Sequence, residues 1–563
     1  MVINMLENIK KIKFAEIIFT VCLICIGTFH EYISCIAAVI MLVWIIYKAI
    51  HDKKIYFFLN ITSVSVLCIT LFYGLTAFWA VDSGMAIIGF VKFLPVPLYL
   101  LVLMQTQDDI EGIISKLPLI AAVMTVIAAI GMQIPLFTDF FSVSGRLSGF
   151  FEYPNTFALF ALIAELIALS KPKLKLFDFI IIAVLVFGIL YSGSRTVFVL
   201  AVAANAVLIF AVKNRRVKLF AVATIGVLAV GAGIFAIVSG STDAFGRFLT
   251  ISLNESTFVG RLLYFKDALP LILKHPFGLG YMGYYYMQQS IQTGVYSVMF
   301  IHNDFLQLLL DVGWLPTALF AAAIIKSVFC GKKPFYKRVI LTVMALHCCF
   351  DFDLQFMAMF MLLLLFTDYR NGKEFCIKNI EATCCLSFVT AMICIYFGIS
   401  LTLYNFENYQ AALAVYPFDT RSQTKLLTSE SNIDKACEIA DKIINRNEYV
   451  TVAYSAKARN AYSQGDFAKV IEYKNQIFDR STFAYEECSE YCYMLINGIS
   501  LYNQAGDTYS AQICLKELEL AADSVHTADD RLSSLGAKIK DQPETILPED
   551  VENYLKTKVI KAE

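Results

Sequence analysis

Leu219-Phe-Ala-Val-Ala-Thr-Ile-Gly-Val-Leu-Ala-Val-Gly-Ala-Gly-Ile-Phe-Ala-Ile-Val238 is the stretch that decides the fold. It is uncharged throughout, and about twenty apolar residues in helix cross the hydrocarbon of a bilayer. Helix is the economical form for such a run, because in lipid every backbone N–H and C=O must find its partner inside the segment. Working outward, a second apolar run spans Leu306 to Cys330. Between the two lies a polar, aromatic-rich loop, 240–302, with Phe258-Val-Gly-Arg-Leu-Leu-Tyr-Phe265, Lys274-His-Pro-Phe-Gly-Leu-Gly280 and the start of Ile301-His-Asn-Asp-Phe-Leu-Gln307. A loop that long exceeds the needs of a turn, and long ordered loops usually carry function.

The rest of the chain extends the pattern. Of 563 residues, 58% are hydrophobic and only 17% charged, which specifies a polytopic membrane protein. Apolar runs fall at about 14–30, 32–49, 56–80, 84–104, 115–134, 155–170, 177–192, 195–212, 218–239, 303–329, 336–350, 353–368 and 383–404, about thirteen spans in all. Net charge is −1, so there is no nucleic-acid footprint. The cysteines are scattered, mostly inside apolar runs, as in a membrane core. Lys10, Lys11 and Lys13 precede the first run without a small-residue cleavage pattern, so that run reads as a retained span.

Basic residues test the topology. With the N-terminus in the cytoplasm, the inner side holds those three lysines and Lys48, Lys53, Lys54, Lys116, Lys171, Lys173 and Lys175. It also holds Lys213, Arg215, Arg216, Lys218, Lys326, Lys332, Lys333, Lys337, Arg338, Arg370, Lys373 and Lys378. The outer side has only Arg146, Arg195, Arg247, Arg261, Lys266 and Lys274. This bias obeys the positive-inside rule, and an odd number of spans then places the C-terminal segment outside.

From about Asn405 the composition becomes charged, Tyr-rich and amphipathic. Residues 1–404 read as the membrane domain and 405–563 as an extracytoplasmic helical domain. Within the latter, Ala453 to Phe478, with its Gly465-Asp466 turn, resembles a tetratricopeptide hairpin. Tyr502 to Ala511 resembles a degenerate second turn, and Gln410 to Asp419 the end of an earlier repeat. Stacked hairpins offer a concave surface for a protein or an extended chain, whereas a plain helical cap is the simpler alternative.

The outer arginines are the candidates for chemistry. Arg195 lies in Tyr191-Ser-Gly-Ser-Arg-Thr196, Arg146 in Gly145-Arg-Leu-Ser-Gly-Phe-Phe-Glu-Tyr-Pro-Asn155, and Arg261 follows Gly260. Charge at a membrane tends to mark function, and guanidinium forks bind phosphate oxygens in pairs, which suits a diphosphate. A snorkelling or ion-paired arginine is the competing reading, strongest for Arg247. His302 opens a span, where a histidine serves as a helix cap, as a packing residue or as a base near neutral pH. Asp311 lies about half a turn away from it around an ideal helix and reads as structural. His347 and Asp351, four apart, share a helix face, and Asp351-Phe-Asp353 has the spacing of a metal-binding acidic pair. Gly278 and Gly280 would let backbone amides approach a ligand closely.

Taken together, Ser192-Gly-Ser-Arg195, Gly145-Arg146, Pro154-Asn155, Gly260-Arg261, His275-Pro-Phe-Gly-Leu-Gly280 and His302-Asn303 resemble the signature of the O-antigen ligase and polymerase superfamily. The resemblance covers about residues 60–370. It implies an all-α bundle of GT-C type and a glycosyltransferase of the bacterial cell envelope. The donor would be a glycan on polyprenyl (undecaprenyl) diphosphate, and the acceptor a glycan or glycolipid hydroxyl at the outer face of the cytoplasmic membrane. No cofactor and no metal are expected. The implied roles are donor-diphosphate binding by Arg195, Arg261, Arg146 and Asn155, and deprotonation of the acceptor by His302. Arg195 and Arg261 count with His302 as catalytic, while Asp351 and His347 are candidates for orienting it. The C-terminal helical domain departs from typical ligases, and it would take an acceptor or a protein partner.

Three other readings compete. A polymerase of the shape–elongation–division–sporulation class would need an outer catalytic acid, for which Asp351 is the one tempting candidate. A lipid-linked glycan flippase or transporter predicts charge along a path through the bilayer. A non-catalytic membrane anchor for the helical domain would leave the arginines and His302 without shared purpose.

Overall fold

The computed structural model describes residues 13–106, 110–211, 215–238, 256–330, 333–539 and 546–559. Lys10, Lys11, Lys213, Arg247, Lys332 and the first part of the long loop lie outside the described residues. The chain is an all-α membrane protein. Its described strands form only two antiparallel pairs, Ile55–Leu59 with Lys373–Ile377 and Ser142–Val143 with Arg146–Leu147. The first pair corrects the start of the span expected at 56–80. Ile55-Tyr-Phe-Phe-Leu59 is a strand because aromatic and β-branched side chains suit a pleated ladder, and helix begins only at Ile61.

The chain divides into two compact units. One comprises Met1–Leu75, Ile87–Ser252 and Ile301–Thr402; the other comprises Thr76–Ala86, Leu253–Phe300 and Leu403–Glu563.

The first unit is built of apolar helices. Glu31–Asp52, Ile61–Phe78, Ser83–Gln105, Ile110–Gly131 and Ile380–Asn405 are long and apolar enough to cross a membrane, the second and third reaching into the other unit. Shorter apolar helices accompany them, among them Pro154–Leu169, Leu176–Ser192, Arg195–Ala211, Trp314–Phe329 and Met357–Phe366. Every residue of Met357–Phe366 is buried, as a helix apolar all round requires. At the other extreme, Leu386, Phe388, Met392 and Ile399 of Ile380–Asn405 are exposed, the state expected of side chains that meet lipid tails. Cys22 and Cys25 are three apart in and just after the Phe14–Ile24 helix and are free thiols.

Sequence punctuation explains the helix ends. Pro154 occupies the first turn of its helix, where its missing N–H costs nothing. Gly193 takes φ 60 and ends Leu176–Ser192, so that Arg195 can start the next helix. The span expected at 303–329 is broken, because Gly313 at φ 85 separates Asp304–Val312 from Trp314–Phe329.

In the second unit, part of the long loop is helix: Ser256–Lys274 and Gly283–Ile291. The C-terminal segment runs as successive helices from Tyr409–Val415 to Glu549–Val559. Thr451–Ser463 and Phe467–Arg480 turn at Gly465, and Tyr485–Gln504 and Thr508–His526 turn at Gly506, both glycines at positive φ. Asp466 and Asp507 then cap the second helices by accepting backbone N–H bonds. Phe467, Val470, Leu495, Ile499 and Leu518 form the core between the hairpins.

The same unit joins its three sequence pieces closely. Thr293 N donates to Asp267 at 2.9 Å, Ser533 N donates to the Thr293 carbonyl at 2.8 Å, and Thr482 N donates to the Gln289 carbonyl at 3.0 Å. Asn447 donates to buried Asp82 at 3.0 Å, and the Tyr416 hydroxyl donates to the Gly84 carbonyl at 3.1 Å. Gly280, read above as a ligand approach, makes a different close contact. A Cβ there would lie 2.6 Å from the Cβ of Ala80, and the Leu279 carbonyl accepts from Val81 N. The Gly-Leu-Gly motif therefore packs the 256–300 segment onto 76–86.

Candidate functional site

At one end of the first unit, polar side chains converge from four separate stretches of sequence. The hairpin at 142–147 turns through Ser144 and Gly145, both at positive φ, and presents Arg146. Arg146 donates from Nε to the carbonyl of Ser192 at 2.7 Å and from Nη2 to Asn155 Oδ1 at 2.8 Å. Thus Arg146 is fastened to the Ser192-Gly-Ser-Arg195 turn, and half-buried Arg195 heads the helix that leaves it. A helix start favours anions through its unpaired N–H groups and its dipole.

Asn155 passes the connection on. Its Nδ2 donates to Asp351 Oδ2 at 2.8 Å and to the Tyr153 hydroxyl at 3.1 Å, and Tyr153 in turn donates to Asp351 Oδ1 at 2.8 Å. Asp351 also accepts from Phe352 N at 3.1 Å and meets His302 Nδ1 at 3.2 Å. The Asp351 side chain is 1% exposed, whereas that of His302 is 22% exposed. Phe352 walls the pair, its ring 5.0 Å from the His302 ring and 4.6 Å from that of Tyr153.

The start of the Asp304–Val312 helix assigns two neighbouring residues different tasks. Asn303 is the cap, its side chain accepting from Leu306 N at 3.0 Å and donating to the Cys349 carbonyl at 2.9 Å. His302 stands just outside the helix at φ 54, a left-handed backbone uncommon for a residue with a Cβ. Behind it, Gln307 accepts from Ile301 N at 3.0 Å and donates to Asp311 at 2.9 Å, and Tyr73 donates to Asp311 at 2.9 Å.

The expectation that His347 and Asp351 share a helix face does not hold. Phe335–Cys348 ends before Asp351, so helical spacing no longer applies. Wholly buried His347 pairs instead with Asp353, which also accepts from Thr156 at 2.7 Å. Asp351 and Asp353 therefore serve separate networks. Asp304, Cys348 and Asp353 lie with side-chain ligand atoms within 4.8 Å of one another, all buried. Asp304 accepts from Leu354 N at 3.1 Å and Asp353 is engaged as above, so hydrogen bonds already occupy both carboxylates.

Arg261 lies in the second unit, on the Ser256–Lys274 helix. The site's first-unit members thus brought together are Arg146, Asn155, Asp351 and His302, with Arg195 on the turn that Arg146 holds. Tyr153 and Gln307 escaped the sequence reading. Tyr153 had one available signal, its place directly before Pro154-Asn155; Gln307 had its four-residue spacing from Asp311, although its bond to Ile301 N could not be read from sequence.

No curated protein and no solved structure matches the chain. Residues 180–321 match the family model described as O-antigen ligase. The matched segment includes Arg195, Arg261 and His302 and carries a general membrane O-antigen ligase or polymerase role. The site residues Arg146, Tyr153, Asn155 and Asp351 fall outside it. With the apolar helices and this match together, the chain is an integral membrane protein that carries an O-antigen ligase-like region at residues 180–321.

Proposed function

We propose that this protein transfers a glycan from a polyprenyl-diphosphate donor to an acceptor hydroxyl at the outer face of a bacterial cytoplasmic membrane, as a surface-polysaccharide ligase or polymerase. The observation that carries the reading is the continuous chain His302–Asp351–Asn155–Arg146, fastened to the turn that begins the Arg195 helix. It links a group able to accept a proton to cations able to hold a diphosphate.

In the proposed reaction the acceptor oxygen attacks the anomeric carbon from the side opposite the diphosphate. The carbon–oxygen bond to the diphosphate breaks, the sugar inverts, and polyprenyl diphosphate leaves with the electron pair. With Nδ1 facing Asp351, His302 would turn Nε2 to the acceptor hydroxyl and take its proton there, a contribution of about 10²–10⁴-fold. Asp351 holds the ring in place through Nδ1. Arg195 and Arg146 stabilise the charge growing on the leaving group, and such preorganised charge is often the largest catalytic term. Side-chain cations take the place a metal holds in other diphosphate chemistry. Arg261 enters as a further diphosphate ligand on the resemblance of Gly260-Arg261 alone.

The tail of the donor also has a candidate berth. A cavity of about 430 Å³, lined by Thr125, Ala129, Ile130, Ile180, Val184 and Phe187, runs along the helix that ends at Ser192. Its walls are nearly all apolar, as an isoprenoid requires. The C-terminal helices are proposed to hold the acceptor or an assembly partner.

The deciding experiment reconstitutes the protein in lipid with polyprenyl-diphosphate oligosaccharide and candidate acceptors. Transfer is then compared for Arg146→Ala, Arg195→Ala, Arg261→Ala and His302→Ala. Each should insert normally and lose transfer; full transfer by His302→Ala and Arg195→Ala together would sink the reading.

A further inference from the structure

We propose that the Ser256–Lys274 helix lies in the membrane interface, with its exposed face buried among lipid headgroups and upper acyl chains. The inference does not depend on the reaction proposed above.

The two faces of this helix have opposite surroundings. Val259, Leu263, Asp267, Ala268, Leu271 and Ile272 are buried. Asp267 accepts from Thr293 N, from the Thr293 hydroxyl at 2.7 Å and from the Tyr296 hydroxyl at 3.2 Å, so that face is spoken for by protein. The other face carries Leu262, Leu269 and Leu273, and the last two are 51% and 61% exposed. Spacings of seven and four residues stack these leucines in one stripe. A helix face meant for water would carry charge and amides there. Instead its exposed charges are Lys266 and Lys274, with half-buried Arg261 beside Leu262, and the long lysine stems can lie along apolar surface while their ammonium groups reach the phosphates.

A second observation points to lipid as the occupant. The last residues of the candidate span Ile61–Phe78 belong to the same unit as this helix. Phe78 is 84% exposed, and the following Trp79 donates from Nε1 to the carbonyl of exposed Phe277 at 3.3 Å, with the two rings 6.2 Å apart. Trp at the end of a span marks the water–lipid boundary. The exposed leucines and the Phe78–Trp79 pair thus lie in one unit, and both suit the boundary between water and lipid. The helix would keep Arg261, the neighbour of Leu262, at the depth of lipid phosphates.

The test places a nitroxide on a noncanonical amino acid at position 273 of the full chain, so that the native cysteines are left alone. The protein is reconstituted in nanodiscs of phosphatidylethanolamine and phosphatidylglycerol, and collision rates with oxygen and with a water-soluble nickel chelate are read by electron paramagnetic resonance. A label at exposed Glu519 of the same unit is the aqueous reference, and position 262 repeats the measurement. Oxygen collisions should rise and nickel collisions fall at 273 and 262 relative to 519. Nickel access equal to that at 519 would overturn the proposal in favour of a solvent-facing helix. Shielding from both reagents would overturn it in favour of a protein partner.

Discussion

At the residue scale, His302 is held by its neighbours in a backbone state it would seldom choose. A left-handed conformation costs a residue with a Cβ roughly 1–2 kcal/mol, so the surroundings must fix it. Gln307 does part of this through Ile301 N, and Asp311 orients the Gln307 amide. Gln307→Leu leaves a buried N–H without its acceptor, costing about 1–3 kcal/mol. Transfer should fall through kcat with KM for the donor nearly unchanged, because Gln307 touches neither cation. Steady-state kinetics on the reconstituted variant check this. Asp351→Ala should cost more: it removes the acceptor shared by Tyr153, Asn155, Phe352 N and His302, and about 10²-fold in transfer is expected from losing the oriented base. Circular dichroism must show helix content retained for either loss to count.

At the element scale, close backbone approaches decide where helices can dock. Gly294 and Gly536 face each other in the second unit; a Cβ on Gly536 would lie 2.3 Å from the Thr293 carbonyl oxygen. Neither backbone can yield without breaking the Ser533–Thr293 bonds. Gly536→Ala should therefore destabilise this unit by about 1–3 kcal/mol. Limited proteolysis in the 532–539 segment should accelerate accordingly, whereas Gly465→Ala, with open space around it, should cost only the roughly 1 kcal/mol of its positive φ. Elements were the most legible part of this sequence. Length and apolarity announce membrane helices, and Pro154, Gly193, Gly465 and Gly506 mark ends that the structure uses. Strand Ile55–Leu59 was illegible because its partner, Lys373–Ile377, is remote in sequence and its own residues are as apolar as a span. In the site, the arginines and His302 could be singled out because polar groups among apolar runs are conspicuous. Their connections could not: Asn155 and Asp351 meet across 196 positions, and helical spacing misdirected Asp351 to His347 because the helix end at Cys348 was not foreseen.

At the scale of the whole molecule, the chain uses one buried carboxylate to tie the end of a membrane span to its C-terminal helices. Asp82, between the Ile61–Phe78 and Ser83–Gln105 segments, is completely buried and accepts from Met85 N and Asn447 Nδ2, with Thr420 and Arg446 nearby. Burial raises its pKa above the ordinary 3.8, outweighing the hydrogen bonds and the Arg446 charge that pull the other way. The folded protein thus binds this proton more tightly than the unfolded chain does. The stabilising contribution is complete below the unfolded pKa and is lost as pH rises through the raised folded value. Asp82→Asn removes that titration while keeping a side-chain oxygen for Asn447. Thermal unfolding in nanodiscs at a series of pH values from 4 to 8 should show the midpoint of Asp82→Asn gaining on the parent as pH rises, most steeply just above the carboxylate range. Parallel curves for the two proteins would mean that Asp82 ionises without strain and that the join between span and C-terminal helices is indifferent to its charge. If the curves diverge as expected, a single proton couples the folding of remote parts of the sequence, because residues 76–86 and 403–563 form one compact unit and cannot part without exposing Asp82.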